Sequence, residues 1–247
     1  MNPKILVGCP TYDGKGYCLK QYVEAVKKLD YDNYDIMLVD NSETAEYYEK
    51  LKSLGINAWH LGEKGLSVRE KIAACRNLLR KIAIEKYDYF LILEQDVIPP
   101  KDIIKKLLSH NKKIVSAVYN MRMDDGKDMP VLWKFLDENE ISEMTKKNLS
   151  LKSELENVKQ KNANFCRRFE EGELPKDKLI RIAACGLGAV IIHKDVLERV
   201  AFKSEMGKEA YDDMLFSRDA LSKGFEIFAD TGIVCGHLQD ESFMKSR

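Results

Sequence analysis

Two acids one residue apart, Glu94 and Asp96, follow directly on the five-residue apolar run Tyr89 to Leu93. Such a run suits a strand buried on both faces. Residues i and i+2 of an extended chain point to one side. Both carboxylates are therefore expected at the carboxyl end of that strand, where open α/β sheets bind ligands. Pro99 and Pro100 stop the sheet from continuing. Buried carboxylates are costly without a compensating charge, and a divalent cation with hard oxygen ligands would supply one. A strand that simply ends in solvated acids is the competing explanation, and the rest of the chain has to decide.

The surrounding elements follow from periodicity. Lys4 to Cys9 reads as a first buried strand, with a turn-rich loop from Pro10 to Gly16 at its carboxyl end. Apolar residues at Leu19, Tyr22, Val23, Val26 and Leu29 make one face of a helix over 17–29. Asp35 to Asp40 is a second strand ending in an acid, and Asn41 or Ser42 is expected to cap a helix to Leu54. Ile56 to Leu61 is a third strand. Ser67, with Glu70 three residues on, opens a long helix to Lys86 through a capping box. Pro100 is expected to open a helix to His110, and Lys113 to Val118 is a fifth strand. This alternation predicts an α/β fold with a doubly wound, mostly parallel central sheet flanked by helices.

From Asn120 the pattern changes. Residues 121–129 are polar and turn-like, and 130–136 suit a strand. The charged stretch 137–178 carries Met144, Asn148, Leu151, Leu155, Val158, Asn162, Phe165 and Phe169 at alternating four- and three-residue spacing. It reads as a helical insertion packed on the domain, with a dimer contact through 144–169 or an acceptor-side lid as the sharper alternatives. Strands are expected at 179–184 and 189–193 around Cys185-Gly-Leu-Gly188, then helices at 194–200 and 209–223, the latter closed by Gly224. Short strands at 225–229 and 233–235 precede Gly236-His237. The chain is expected to form a single domain, 1–118 binding the donor and 119–247 the acceptor.

Several of these stretches together resemble family 2 glycosyltransferases, which have the GT-A fold. Pro10-Thr-Tyr-Asp13 is similar to their first nucleotide-contacting loop, Val39-Asp40-Asn41-Ser42 to their second-strand acid, and Ala74-Cys-Arg76-Asn77 to the segment on the helix before the metal motif. Glu94-Gln95-Asp96 falls where their Asp-x-Asp belongs, with Glu replacing the first Asp. Gly186-Leu-Gly188, Asp212-Asp213-x-x-Phe216 with Gly224-Phe225, and Asp230 to His237 resemble the later motifs, in the family's order.

The resemblance implies an inverting transfer of a sugar from a UDP- or GDP-linked donor to a hydroxyl acceptor, assisted by Mn2+ or Mg2+. Asp96 and His237 would hold the metal, which stabilises the departing diphosphate as a Lewis acid. An imidazole ligand suits Mn2+ better than Mg2+. Asp213 would be the general base, since an acceptor hydroxyl needs a proton acceptor within reach; both Asp212 and Asp213 as plain helix caps is the bland alternative. Pro10, Thr11, Tyr12, Asp13, Asp40, Arg76, Glu94 and Gln95 would contact the donor, with Tyr12 stacking on the base and Arg76 facing the diphosphate. Lys64, Ser67 and Arg69 are weaker candidates. His60, His110 and His193 have no such context and default to structural or exposed roles.

Composition excludes other classes. The 247 residues carry 40 basic and 40 acidic side chains and a formal net charge of zero, which argues against nucleic acid as partner. The six cysteines form no Cys-x-x-Cys pair, so a zinc ribbon is not expected; free thiols in a reducing cytoplasm are. No transmembrane run and no signal peptide are expected. A nucleotidyltransferase would call for a basic, glycine-rich loop after the first strand, whereas Pro10 to Gly16 holds two glycines and one lysine. A non-catalytic binding module of the same fold is the third alternative, supported by Glu94 alone.

Overall fold

A computed structural model describes residues 2–62, 64–147, 166–204 and 212–239. In chain order it contains β1 (Ile5–Thr11), a 3-10 turn (Asp13–Lys15), α1 (Leu19–Val26), β2 (Tyr34–Asp40), α2 (Glu46–Ser53), β3 (Asn57–His60) and α3 (Val68–Lys86). β4 (Tyr89–Leu93), β5 (Val97–Ile98), α4 (Ile103–Ser109) and β6 (Ile114–Val118) follow. The next stretch holds a hairpin, β7 (Asn120–Arg122) and β8 (Asp128–Pro130), then β9 (Leu132–Phe135), α5 (Glu138–Lys147) and β10 (Cys166–Arg168). The chain goes on through β11 (Leu179–Ile182), β12 (Ala184–Cys185), β13 (Ala189–His193), α6 (Lys194–Arg199), α7 (Asp212–Ser222), β14 (Ile227–Val234) and β15 (Gly236–His237).

Eight strands form the main sheet in the order β11-β14-β6-β13-β4-β1-β2-β3. β3, β2, β1 and β4 run parallel. β13 runs against both its neighbours, β4 and β6, while β14 is parallel to β6 and β11 antiparallel to β14. The sheet is thus mostly parallel, as periodicity predicts, with two reversed strands. Alternate residues of β1 and β4 feed two cores. Ile5, Val7, Leu91 and Leu93 pack with Tyr22 and Val26 of α1, Leu51 of α2 and Leu107 of α4. Leu6, Phe90 and Ile92 pack with Leu79 and Ala83 of α3, Leu197 of α6 and Phe216 of α7. Each such fully buried large aliphatic side chain contributes about 1.5–3 kcal/mol.

β4 and the start of α3 match their expected bounds. Ser67 caps α3 in a capping box, its hydroxyl accepting from the Glu70 amide at 3.4 Å while Glu70 accepts from the Ser67 amide at 2.8 Å. Three expectations fail locally. Ser42 does not cap α2: its amide and hydroxyl donate to Asp40, and the helix starts at Glu46 after Ala45. Pro100 does not open α4, which begins at Ile103 after Asp102. The two short strands expected before Gly236 are one strand, β14, whose register shifts between Asp230 and Val234. The shift lies where Asp230 accepts from the Gly232 amide at 2.8 Å and from His110 Nε2 at 2.7 Å.

The stretch expected to be a helical insertion is mixed. It contributes α5, and β10 pairs with β9 in a small second sheet. Phe169 is buried in the second core. Residues 148–165 of the apolar seam lie outside the described residues, and with them the seam's expected dimer or lid role. Five cysteines are buried, Cys166 is half-buried, and all six are free. Among the described residues no helix is long and apolar enough to cross a membrane.

Candidate active site

The carboxyl ends of β1, β2 and β4 meet α3 around a cleft of about 190 Å³. Pro10, Thr11 and Tyr12 line one wall, Arg76 and Ile72 of α3 another, and Lys15, Glu94, Gln95 and Asn41 the rest. Pockets for whole small-molecule ligands enclose about 300 Å³ or more, so a nucleotide would extend beyond the rim. Tyr12 stands at that rim, 40% exposed, its ring lying against Gly14. Asp13 is exposed; its amide donates to Ser42 Oγ at 2.9 Å, and its carboxylate accepts from the Gly14 amide at 3.0 Å.

Two expected donor contacts have internal partners. Asp40 is fully buried; Ser42 donates to its Oδ1 at 2.5 Å and His60 Nδ1 to its Oδ2 at 2.8 Å. Its carboxylate fixes the β2 loop, and the neighbouring Asn41 faces the cleft. Gln95 is 1% exposed. Its Oε1 accepts from Thr11 Oγ1 at 2.5 Å and from Tyr47 at 3.0 Å, and its Nε2 donates to the Lys15 carbonyl at 2.5 Å. Gln95 therefore braces the 3-10 turn from behind, and Thr11 is spent on the same brace. Ser67 is likewise spent on its cap.

The chain leaves β4 at Leu93 and turns, the Val97 amide donating to the Glu94 carbonyl at 2.9 Å. Glu94 and Asp96 thus converge through a turn instead of strand alternation. Arg76, 4% exposed, donates to Glu94 at 2.6 Å and to Asp212 at the start of α7. Lys15 Nζ pairs with Asp96 Oδ2, which His237 Nε2 faces at 3.6 Å. Burial pushes the Glu94 pKa up; Arg76 opposes this and Asp96 adds to it. Burial also works against an ionised Asp96, but His237 and Lys15 together hold its pKa below the ordinary value. Burial disfavours charge on His237 too, yet Asp96, the Asn120 carbonyl and Glu94 pull its pKa up.

His237 reaches Asp96 because β15 pairs antiparallel with β5, setting His237 opposite Val97. The Leu238 amide donates to the Asp96 carbonyl at 2.8 Å. His237 Nδ1 donates to the Asn120 carbonyl at 2.7 Å, and Tyr119 meets the imidazole edge-on with ring centroids 5.4 Å apart. Tyr119 also explains the two glycines: a Cβ on Gly186 would lie 2.1 Å from its hydroxyl, and one on Gly188 2.6 Å from Cζ.

Asp213 stands beside Asp212, with Phe216 anchoring α7 by stacking on Phe202 at 5.0 Å. Its carboxylate accepts from the Met214 amide at 2.6 Å. Burial raises its pKa, against the pull of that amide, Arg76 and Arg168. Arg76 thus joins Glu94 to Asp212, Asp96 meets His237, and Asp213 follows Asp212 at the start of α7. His60 and His110 bond acids, and His193 accepts from the Asp195 amide at 3.2 Å, so all three serve local structure.

Sequence reasoning missed Lys15 and Tyr119. The glycines flanking Lys15 are the one signal it carried; Tyr119 carried none.

The donor set can accept a cation. Asp96 Oδ1 is buried without a hydrogen-bond partner. With Nδ1 donating to a carbonyl, neutral His237 turns the Nε2 lone pair towards Asp96, the usual posture of a ligating histidine. Among the described residues no three acidic, histidine or cysteine side chains converge tightly enough to hold a metal alone. The remaining ligands would be water or oxygens of the donor.

Residues 7–171 match the family model described as Glycosyl transferase family 2. No curated protein matches the chain. Among solved structures, the crystal structure of A197 from STIV superposes on 96% of this chain and 87% of that one, with a TM-score of 0.50 at 14% identity. At that identity the likeness concerns the fold alone.

Proposed function

The chain belongs to glycosyl transferase family 2, and on that footing we propose that it moves a sugar from a UDP- or GDP-linked donor to a hydroxyl acceptor with inversion. The central sheet and its flanking helices agree with the GT-A fold of such enzymes. The observation that carries the proposal is the pairing of Asp96 with His237 beside a cleft where Arg76 ties Glu94 to Asp212.

Tyr12 stacks on the base, and Asn41 borders the ribose side. Arg76 faces the diphosphate while holding Glu94 in place. Asp96 and His237 would hold a divalent cation, Mn2+ or Mg2+, which would supply Lewis-acid stabilisation of charge on the departing diphosphate. Asp213 takes the acceptor's proton. Its pKa, raised by burial, brings it nearer the range in which a carboxylate is an effective base. Calorimetry with UDP and GDP tests the proposal: binding should require Mn2+ or Mg2+ and should vanish in Asp96→Ala. Nucleotide binding indifferent to both metal and Asp96 would overturn it.

A further inference from the structure

Lys15 has no part in the scheme above, yet it occupies the centre of the site. Its Nζ lies on Asp96 Oδ2, the same oxygen that faces His237 Nε2. A divalent cation bridging that oxygen and His237 Nε2 would need the position of the ammonium. The ammonium would leave it, because repulsion from a divalent cation on the same oxygen outweighs the attraction of a single carboxylate for a monovalent charge. The backbone of Lys15 is fixed: Gln95 Nε2 donates to its carbonyl at 2.5 Å, and Gln95 is itself locked by Thr11 and Tyr47. The side chain is not fixed beyond its ion pair. It is a long stem with several rotatable bonds ending in a point charge, and it lines the cleft that Arg76 and Glu94 share.

We propose that Lys15 is a resident counter-cation, which holds the Asp96 carboxylate in the ligand-free protein and yields that position to a divalent metal, swinging its ammonium onto the donor diphosphate. The charge count favours the exchange. With His237 neutral, as a metal ligand must be, Glu94, Asp96 and Asp212 face Lys15 and Arg76, so one negative charge stays uncompensated. A diphosphate entering alone would add to that charge. A divalent cation entering with it cancels the two charges of a nucleoside diphosphate-sugar, and the displaced ammonium on its flexible stem is left to pair with a phosphate oxygen. Without metal, Lys15 keeps two acids from facing each other bare. This rests on the metal reading above and adds that the metal competes with a side chain of the protein itself.

The test uses the full chain and Mn2+ alone, followed by the spin-resonance signal of free Mn2+, with Lys15→Met, Lys15→Gln, Lys15→Arg and Asp96→Ala beside the parent. K15M and K15Q should bind Mn2+ at least about tenfold tighter than the parent, since they remove a competing cation. K15R should stay near the parent, and D96A should not bind. With Mn2+ saturating, UDP or GDP should bind K15M and K15Q about tenfold more weakly. Circular dichroism and melting establish that each variant is folded. Asp96-dependent Mn2+ binding of equal or lower affinity in both K15M and K15Q overturns the exchange but leaves the metal reading standing. If neither the parent nor these variants bind Mn2+ through Asp96, both fall.

Discussion

Arg76 is expected to be the residue whose loss most damages the fold of the site. Its guanidinium bridges Glu94 at 2.6 Å and Asp212, and it is 4% exposed. Arg76→Met keeps length and apolar contact but leaves two carboxylates without their cation. Removing one partner of a buried pair costs about 3–5 kcal/mol. Glu94 keeps 31% of its side chain in water, so its charge is partly screened, and the lower figure of about 3 kcal/mol applies. For a domain of this length each kcal/mol moves Tm by about 2–4 °C, so R76M should melt roughly 6–12 °C lower. Glu94→Gln removes a charge that burial already disfavours. The double variant R76M/E94Q should therefore be more stable than the sum of the two single losses predicts, by about 1–2 kcal/mol. Thermal and urea denaturation at neutral pH, followed by circular dichroism, measures all three. A loss below about 1 kcal/mol in R76M, or strict additivity in the cycle, would refute the charge bridge.

Asp213→Asn should lower transfer by about 10²–10⁴-fold, the usual contribution of a general base, while raising stability. The folded pKa of Asp213 is raised, so the native state loses stability as pH climbs through that value and the carboxylate ionises. D213N escapes this loss and should melt about 2–4 °C higher at neutral pH, roughly 1 kcal/mol. Below about pH 3.9, where the unfolded carboxyl is also protonated, the gap should close; a gap that persists in acid would count against the burial argument. Gly188→Ala places a Cβ 2.6 Å from the Tyr119 ring, which must shift at a cost of about 1–3 kcal/mol. Because Tyr119 flanks His237, Mn2+ affinity should fall with it, and unchanged affinity in a destabilised protein would separate the two roles.

The parts legible in the sequence were those decided by near neighbours. β4 is a five-residue apolar run bounded by acids and prolines, and α3 announces itself through Ser67 and Glu70. The later acids and histidine were legible as motifs, and the fold brings His237 to Asp96. Side-chain direction was not legible. Gln95 lies between two acids and was read with them as a donor contact, but it points into a buried polar network closed by Thr11 and Tyr47. Asp40 ends β2 as predicted, yet Ser42 and His60 claim its oxygens. Lys15 is decided by an acid 81 positions away, and a flexible side chain with a distant partner leaves no periodic trace. Tyr119 is needed because two glycines leave room for it, a relation that exists only after folding.

The course of the sheet gives the two halves of the chain unequal freedom. The chain departs from the sheet after Val118 and rejoins it at Leu179; β14 alone lies between those strands, and Leu179, Asp230 and Ala117 stand level across them. At the usual strand spacing the exit and re-entry are about 10 Å apart. A detour that begins and ends at one place can grow at small entropic cost, about 0.6 kcal/mol for each doubling of its length. Within residues 119–178, the stretches outside Tyr119, Asn120 and the buried Val131, Leu132 and Phe169 can therefore change length while the strand registers of the main sheet stay as they are. By contrast, the turn that carries Lys15 and the one that carries Glu94 and Asp96 are each held between neighbouring elements and cannot lose a residue without moving a charge.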